Sequence, residues 1–152
     1  MVSFHATKVF DTFEGGAVIC QDRETKLAVD QLCNFGITDE AQVDMMGLNA
    51  KMSEINAAIG LAQLPYSDDM IRRRGDVVRR YYDGLRDVKG VHCVCSPDGR
   101  GKNHYAFPIL LTQDYPWDRD ALLARLKAHD IFARRYFYPL ISDLPMYRHL
   151  PT

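Results

Sequence analysis

Ser3-Phe4-His5-Ala6-Thr7-Lys8-Val9-Phe10-Asp11-Thr12-Phe13-Glu14-Gly15-Gly16 is the stretch on which the reading of this chain turns. A lysine becomes a chemical actor when its amine can lose a proton and attack a carbonyl. Lys8 has small and aromatic neighbours, a hydroxyl beside it in Thr7, and the pair Gly15-Gly16, where backbone can approach a ligand closely. Those residue types suit a covalent link to the aldehyde of a cofactor. They equally suit an ordinary surface lysine.

Outward from this loop, Ala17-Val18-Ile19-Cys20 reads as a short buried strand. Leu27, Val29, Leu32 and Phe35 fall near helical spacing over Lys26 to Phe35, and Gly36 is a stop signal. Residues 37–50 read as irregular. Ser53 can cap a helix whose apolar stripe is Met52, Ile55, Ile59 and Ala62, with Pro65 ending it. Ser67-Asp68-Asp69 is a helix start, since acidic residues favour the positive helix N-terminus, and Ile71, Val78, Tyr82 and Leu85 continue it. Val91 to Cys95 and Tyr105 to Leu111 read as strands, with Pro108 arguing for an edge or a bulge. Asp118 caps a helix bearing Leu122, Leu123 and Leu126, and Phe132 to Tyr138 reads as a third strand. A β-α-β unit with mostly antiparallel strands beside helices makes the fold class α/β.

The bulk properties narrow the function. With 152 residues, 47% hydrophobic and 26% charged, the chain has the make-up of a globular domain able to bury a core. A net charge of −1 gives no electrostatic case for nucleic acid or a membrane surface as partner. No apolar run is long enough to span a bilayer and no signal peptide is visible, so the expected location is the cytoplasm. Cys20, Cys33, Cys93 and Cys95 lack CxxC or Cys/His ligand spacing; they read as buried free thiols, with metal ligation the alternative.

The opening segment closely resembles the cofactor-lysine segment of the DegT/DnrJ/EryC1/StrS family, the pyridoxal-phosphate sugar aminotransferases. Gly47-Leu48-Asn49-Ala50-Lys51-Met52-Ser53-Glu54-Ile55-Asn56-Ala57-Ala58-Ile59-Gly60 resembles that family's next signature, and Ala133-Arg134-Arg135-Tyr136-Phe137-Tyr138-Pro139-Leu140 its C-terminal one. They occur in the family's order. The resemblance implies a fragment of a fold-type-I enzyme: residues 1–64 as the C-terminal part of the large cofactor-binding domain, 65–152 as the small, incomplete C-terminal domain. It also implies that a long segment carrying other cofactor contacts precedes Lys8 in the complete enzyme. The isolated 152 residues are therefore expected to be inactive.

The same resemblance implies roles for particular residues. Lys8 would hold pyridoxal 5'-phosphate covalently and then move a proton. The family's sister dehydratases have histidine there, so lysine favours transamination. Ser3 would donate to the cofactor phosphate, and Asn49 would reach the cofactor phosphate of a neighbouring subunit in a homodimer with a shared active site. Taken alone, Ser3 also suits a bond to local backbone, and Asn49 a turn. His5 can meet the cofactor or simply pack. Lys51, where many relatives have arginine, and Glu14 suit the substrate side. Arg134, Tyr136 and Tyr138 would share one strand face able to meet a nucleotide diphosphate, or would snorkel to solvent. Relatives often have histidine near Ile141. The implied reaction passes an amino group, with glutamate as donor, to a keto nucleotide sugar such as dTDP-4-keto-6-deoxyglucose. Its product would feed lipopolysaccharide O-antigen or other glycans. The competing readings are a sugar dehydratase on the same scaffold and a catalytically dead dimerising remnant.

Overall fold

The computed structural model describes residues 1–97 and 102–151. The chain divides into two compact units, Met1–Arg74 with Asn103–Tyr105, and Gly75–Lys102 with Ala106–Thr152.

In the first unit, β1 (Val2–Ser3) and β2 (Gly16–Ala17) pair antiparallel and close the base of the loop that carries Lys8. Helix α1 (Arg23–Cys33) starts three residues earlier than the apolar spacing predicts, because Asp22 caps it: the Thr25 N–H donates to Asp22 Oδ1 at 2.7 Å. The bonds from the Thr25 backbone and hydroxyl hold the Asp22 carboxyl below its ordinary pKa. At the other end of α1 the chain turns through two left-handed residues, Phe35 (φ 59°) and Gly36 (φ 77°). A Cβ on Gly36 would lie 1.7 Å from the Met45 carbonyl oxygen, so only glycine fits.

Residues 37–50 are not irregular throughout: β3 (Ile37–Asp39) and β4 (Gln42–Val43) form an antiparallel hairpin. Helix α2 (Glu54–Gln63) is capped by Ser53 as expected, and Pro65 turns the chain through a 3-10 segment, Leu64–Tyr66, directly into α3 (Ser67–Leu85). The inward face of α2 differs from the expected stripe. Ile55 is exposed and Gly60 is buried, because the helix packs on the Lys8 loop through its small and polar residues.

The break between the units falls inside α3. In the second unit, Val78 of α3 is only 4% exposed, on the same helix face as Tyr82 and Leu85. Strands β5 (Val91–Cys93) and β6 (Ile109–Leu111) pair antiparallel, Val91 opposite Leu111. Both are shorter than the sequence suggests, and Cys95 lies past the end of β5. Gly90 (φ 81°) makes the turn before β5. Helix α4 (Arg119–Ala128) is capped by Asp118, which accepts from the Ala121 N–H at 2.8 Å.

Two expected strands are corrected. Val18 and Ile19 are 52% and 75% exposed and lie beyond β2, which ends at Ala17 where its pairing with Val2 stops. Phe132 to Tyr138 is not a strand: no ladder partner runs beside it among the described residues, and side chains tie it to the start of α4 instead. Arg134, Tyr136 and Tyr138 therefore do not share a strand face. Every ladder among the described residues is antiparallel, while the mixed α/β class holds.

The core is small. Val9 and Val78 are the buried hydrophobic residues among those described, and Thr12 is the one fully buried side chain. The cysteines are free and half-buried, not fully buried; burial still pushes the Cys93 thiol up. For a chain of 17.4 kDa the exposed area is 12516 Å². Two separate compact bodies of half that mass would expose about 9,500 Å² between them. Large apolar side chains stand exposed, among them Met46, Leu48, Ile55, Leu61, Phe132 and Phe137.

Candidate active site

The loop between β1 and β2 is held by its own backbone. The Phe4 N–H donates to the Gly15 carbonyl at 2.9 Å, Ala6 N–H to Phe13 at 2.7 Å, and Thr12 N–H to Phe4 at 2.9 Å. The Lys8 N–H donates to the His5 carbonyl at 2.8 Å, closing the turn at whose end the lysine stands. Lys8 is half-buried, and its Nζ lies 5.1 Å from the centre of the Tyr105 ring. Among the described residues no carboxylate lies within ion-pair distance of that amine.

His5 and Glu14 stand in the same loop, and Ser3 is the last residue of β1, where the loop begins. The Thr7 N–H donates to His5 Nδ1 at 3.2 Å. Nε2 faces Glu14 Oε1 at 3.6 Å, and the Thr7 hydroxyl lies 3.0 Å from Nδ1. His5 thus braces the turn before Lys8. Ser3 Oγ accepts from the His5 N–H at 3.4 Å, a long bond, and its own proton has no acceptor among the described residues.

Asn49 and Lys51 are placed by the end of α1. Helix termini leave carbonyls without intrahelical partners. Here the Leu32 and Cys33 carbonyls accept from the N–H groups of Leu48 (2.8 Å) and Ala50 (2.9 Å), and Asn34 bridges to Asn49. Lys51 Nζ donates to Asn34 Oδ1 at 2.9 Å and lies 4.6 Å from the centre of the Phe35 ring. The Asn49 side chain makes no hydrogen bond among the described residues and is exposed. Among the described residues no direct hydrogen bond joins this pair to the Lys8 loop. The two segments are linked through α2 and Met52, whose side chain would lie 3.0 Å from a Cβ on Gly15.

Arg134 and Tyr138 belong to the second unit. The Tyr138 ring is covered by the Arg119 guanidinium at 4.5 Å and faces Arg135 at 5.6 Å, while Arg134 is exposed. Asp120 accepts from Arg135 Nε at 2.9 Å and from Arg119 Nε at 3.0 Å. Those two guanidinium bonds, the Arg135 one foremost, hold the Asp120 carboxyl below its ordinary range.

Two residues given no role by the sequence reading shape the lysine's surroundings. Tyr105 supplies the ring beside the amine. Asn56 donates to the carbonyls of both Thr12 and Glu14. The available signal was spacing: Asn56 stands three residues after the cap Ser53 and four before Gly60, on the face where α2 meets the loop.

The donor set fits pyridoxal phosphate. An amine without a carboxylate partner can meet an aldehyde, and the Ser3 hydroxyl and Asn49 amide carry unused donors of the kind that hold a phosphate. Among the described residues no group of three or more His, Cys, Asp or Glu could hold a metal ion, and no helix is long and apolar enough to cross a membrane.

Comparison with known proteins places these features in a lineage. The chain is 47% identical over 147 residues to a dTDP-4-amino-4,6-dideoxy-D-glucose transaminase of Shigella dysenteriae, covering 97% of this chain and 40% of the relative. It is 44% identical over 138 residues to the enzyme of the same description from Escherichia coli, covering 91% of this chain and 37% of that protein. The chain thus spans about two fifths of the length of these relatives. Among solved structures, DesI in the presence of its TDP-sugar product superposes with a TM-score of 0.85 at 35% identity, covering 98% of this chain and 38% of DesI. The model of the DegT/DnrJ/EryC1/StrS aminotransferase family matches residues 1–152, and this chain belongs to that family.

Proposed function

We propose that these residues form part of a pyridoxal-phosphate-dependent aminotransferase that transfers an amino group to a keto nucleotide sugar, with Lys8 as the lysine that holds the cofactor. The setting of Lys8 carries the reading: a half-buried amine at the end of a braced turn, beside an aromatic ring and without a carboxylate partner among the described residues. When bound, pyridoxal phosphate supplies the aldehyde and the electron sink. Lys8 would hold it through its amine, and that amine would move a proton at the substrate α-carbon. Ser3 donates to the phosphate, and Asn49 donates to the phosphate of a neighbouring copy in a homodimer with a shared active site. His5 braces the loop on the cofactor side. Glu14, Lys51, Arg134 and Tyr138 serve the substrate side.

The names borne by the relatives support a dTDP-linked 4-keto-6-deoxy sugar as acceptor. Glutamate is the proposed donor, the cytoplasm the proposed location, and O-antigen or another surface glycan the proposed destination of the product. The first 64 residues correspond to the end of the large domain and 65–152 to the small one. Lysine at position 8 disfavours the dehydratase reading. The test is Lys8→Ala in the full polypeptide carrying this sequence, followed by pyridoxal phosphate titration. The visible absorbance of lysine-linked cofactor is lost if Lys8 holds it; a surviving band removes Lys8 from the role.

A further inference from the structure

The geometry points to Asn56 as the residue that positions the Lys8 turn, by gripping from α2 the strip of backbone on which that turn rests. This rests on the reading of Lys8 as the cofactor lysine, though its geometry does not depend on it. The Ser53 hydroxyl donates to Asn56 Oδ1 at 2.6 Å, and the Asn56 N–H donates back to Ser53 Oγ at 3.3 Å. With Oδ1 engaged, both hydrogens of Nδ2 are free for the loop. One goes to the Thr12 carbonyl at 2.9 Å and the other to the Glu14 carbonyl at 2.6 Å, across 44 and 42 residues of sequence.

The strip Thr12-Phe13-Glu14 is two-sided. Its outer carbonyls, Thr12 and Glu14, go to Asn56; its middle carbonyl, Phe13, accepts from Ala6, two residues before Lys8. Phe13 has φ 65°, a left-handed conformation that a bulky residue rarely adopts. Such a conformation persists only when its surroundings over-determine it. Here the Asn56 amide grips the residue on either side, Thr12 is fully buried against Gly60, and two local bonds add to the hold: the Phe13 N–H donates to Asp11 Oδ1 at 3.2 Å and the Thr12 hydroxyl to the Glu14 carbonyl at 2.8 Å. A shift of Asn56 is passed through Phe13 to Ala6 and through Thr12 to Phe4, and so to the turn that ends at Lys8.

Asn56→Asp tests this in the full polypeptide. Aspartate is nearly isosteric, can still accept from Ser53, and suits the helix N-terminus. It replaces Nδ2, which carries both donors, by one acceptor oxygen that faces the Thr12 and Glu14 carbonyls. Amide hydrogen exchange at Ala6 and Thr12 is expected to speed at least about tenfold in N56D, with exchange in α2 unchanged. The rate of Lys8 acetylation by acetic anhydride at one fixed pH is expected to rise as the turn loosens. Asn56→Gln keeps both N–H donors on a longer stem, and its exchange at Ala6 and Thr12 is expected to stay within about threefold of the parent. Parent-like exchange and labelling in N56D would overturn the inference, as would equal loosening of α2 and the loop, or an N56Q variant as loose as N56D. None of these readouts uses the cofactor, so a failure of Lys8 to hold pyridoxal phosphate would leave them standing.

Discussion

Thr12 and Gly60 are in contact across the seam between the lysine loop and α2: a Cβ on Gly60 would stand 2.7 Å from Thr12 Cγ2. Thr12 is fully buried and its hydroxyl donates to the Glu14 carbonyl at 2.8 Å, so it cannot swing aside without losing that bond. In an open helix, glycine to alanine gains about 1 kcal/mol. Overpacking a tight site costs about 1–3 kcal/mol. The immobility of Thr12 decides between them. Gly60→Ala is expected to lower stability by about 1 kcal/mol net, read as a lower urea midpoint of the full polypeptide. A midpoint raised by G60A would show that the seam is loose.

Thr12→Val separates the hydroxyl from the shape. It keeps the branched methyl against Gly60 and removes the bond to Glu14, whose carbonyl still receives Asn56. The expected cost is about 1 kcal/mol. A loss several times larger would mean that the hydroxyl, and not Asn56, holds the strip.

Gly36 governs the second segment of the site. Its φ of 77° and the 1.7 Å clearance to the Met45 oxygen leave no room for a side chain. Gly36→Ala is expected to cost at least about 2 kcal/mol, and to speed exchange at Leu48 and Ala50, whose N–H groups finish α1. Unchanged exchange at those two amides would separate Asn49 from the end of α1.

The arginine pair on Asp120 gives a pH dependence of known sign. The folded carboxyl titrates below its unfolded value, so its stabilisation is present above about pH 3.9 and is lost as pH falls through the folded value. Asp120→Asn is expected to flatten the fall of the urea midpoint below about pH 4. Asp22, Asp44 and Asp69, also depressed by their hydrogen bonds, keep the remaining acid sensitivity. An unaltered slope in D120N would mean that the Arg135 contact does not persist in solution.

Three of the four α-helix starts were legible from local chemistry, and the fourth, at the Asp22 cap of α1, was set three residues late because it was read from apolar spacing alone. Ser53, Asp118 and the acidic start at Asp68-Asp69 each announce a terminus through local chemistry that needs no tertiary partner. The hairpin Ile37–Val43 was not legible, because both its faces are exposed and its sequence shows no alternation; it is pinned by Thr38 and Gln42 bonding to Asp44. Phe132 to Tyr138 misled for the converse reason: its aromatic residues suit a strand, but a strand needs a neighbour, and Arg119 and Asp120 engage it first. The loop that carries Lys8 could be read from the residues of one segment. The grip of Asn56 could not, since a donor to carbonyls 42 and 44 residues away is set by packing that periodicity does not encode.

The central claim is that the Lys8 amine is the one that takes the cofactor. Borohydride reduction of the full polypeptide with bound pyridoxal phosphate, followed by proteolysis and mass spectrometry, reads the attachment point directly. A single phosphopyridoxyl group on the peptide containing Lys8 is the expected result. A label on another lysine, with Lys8 unmodified, would contradict the account.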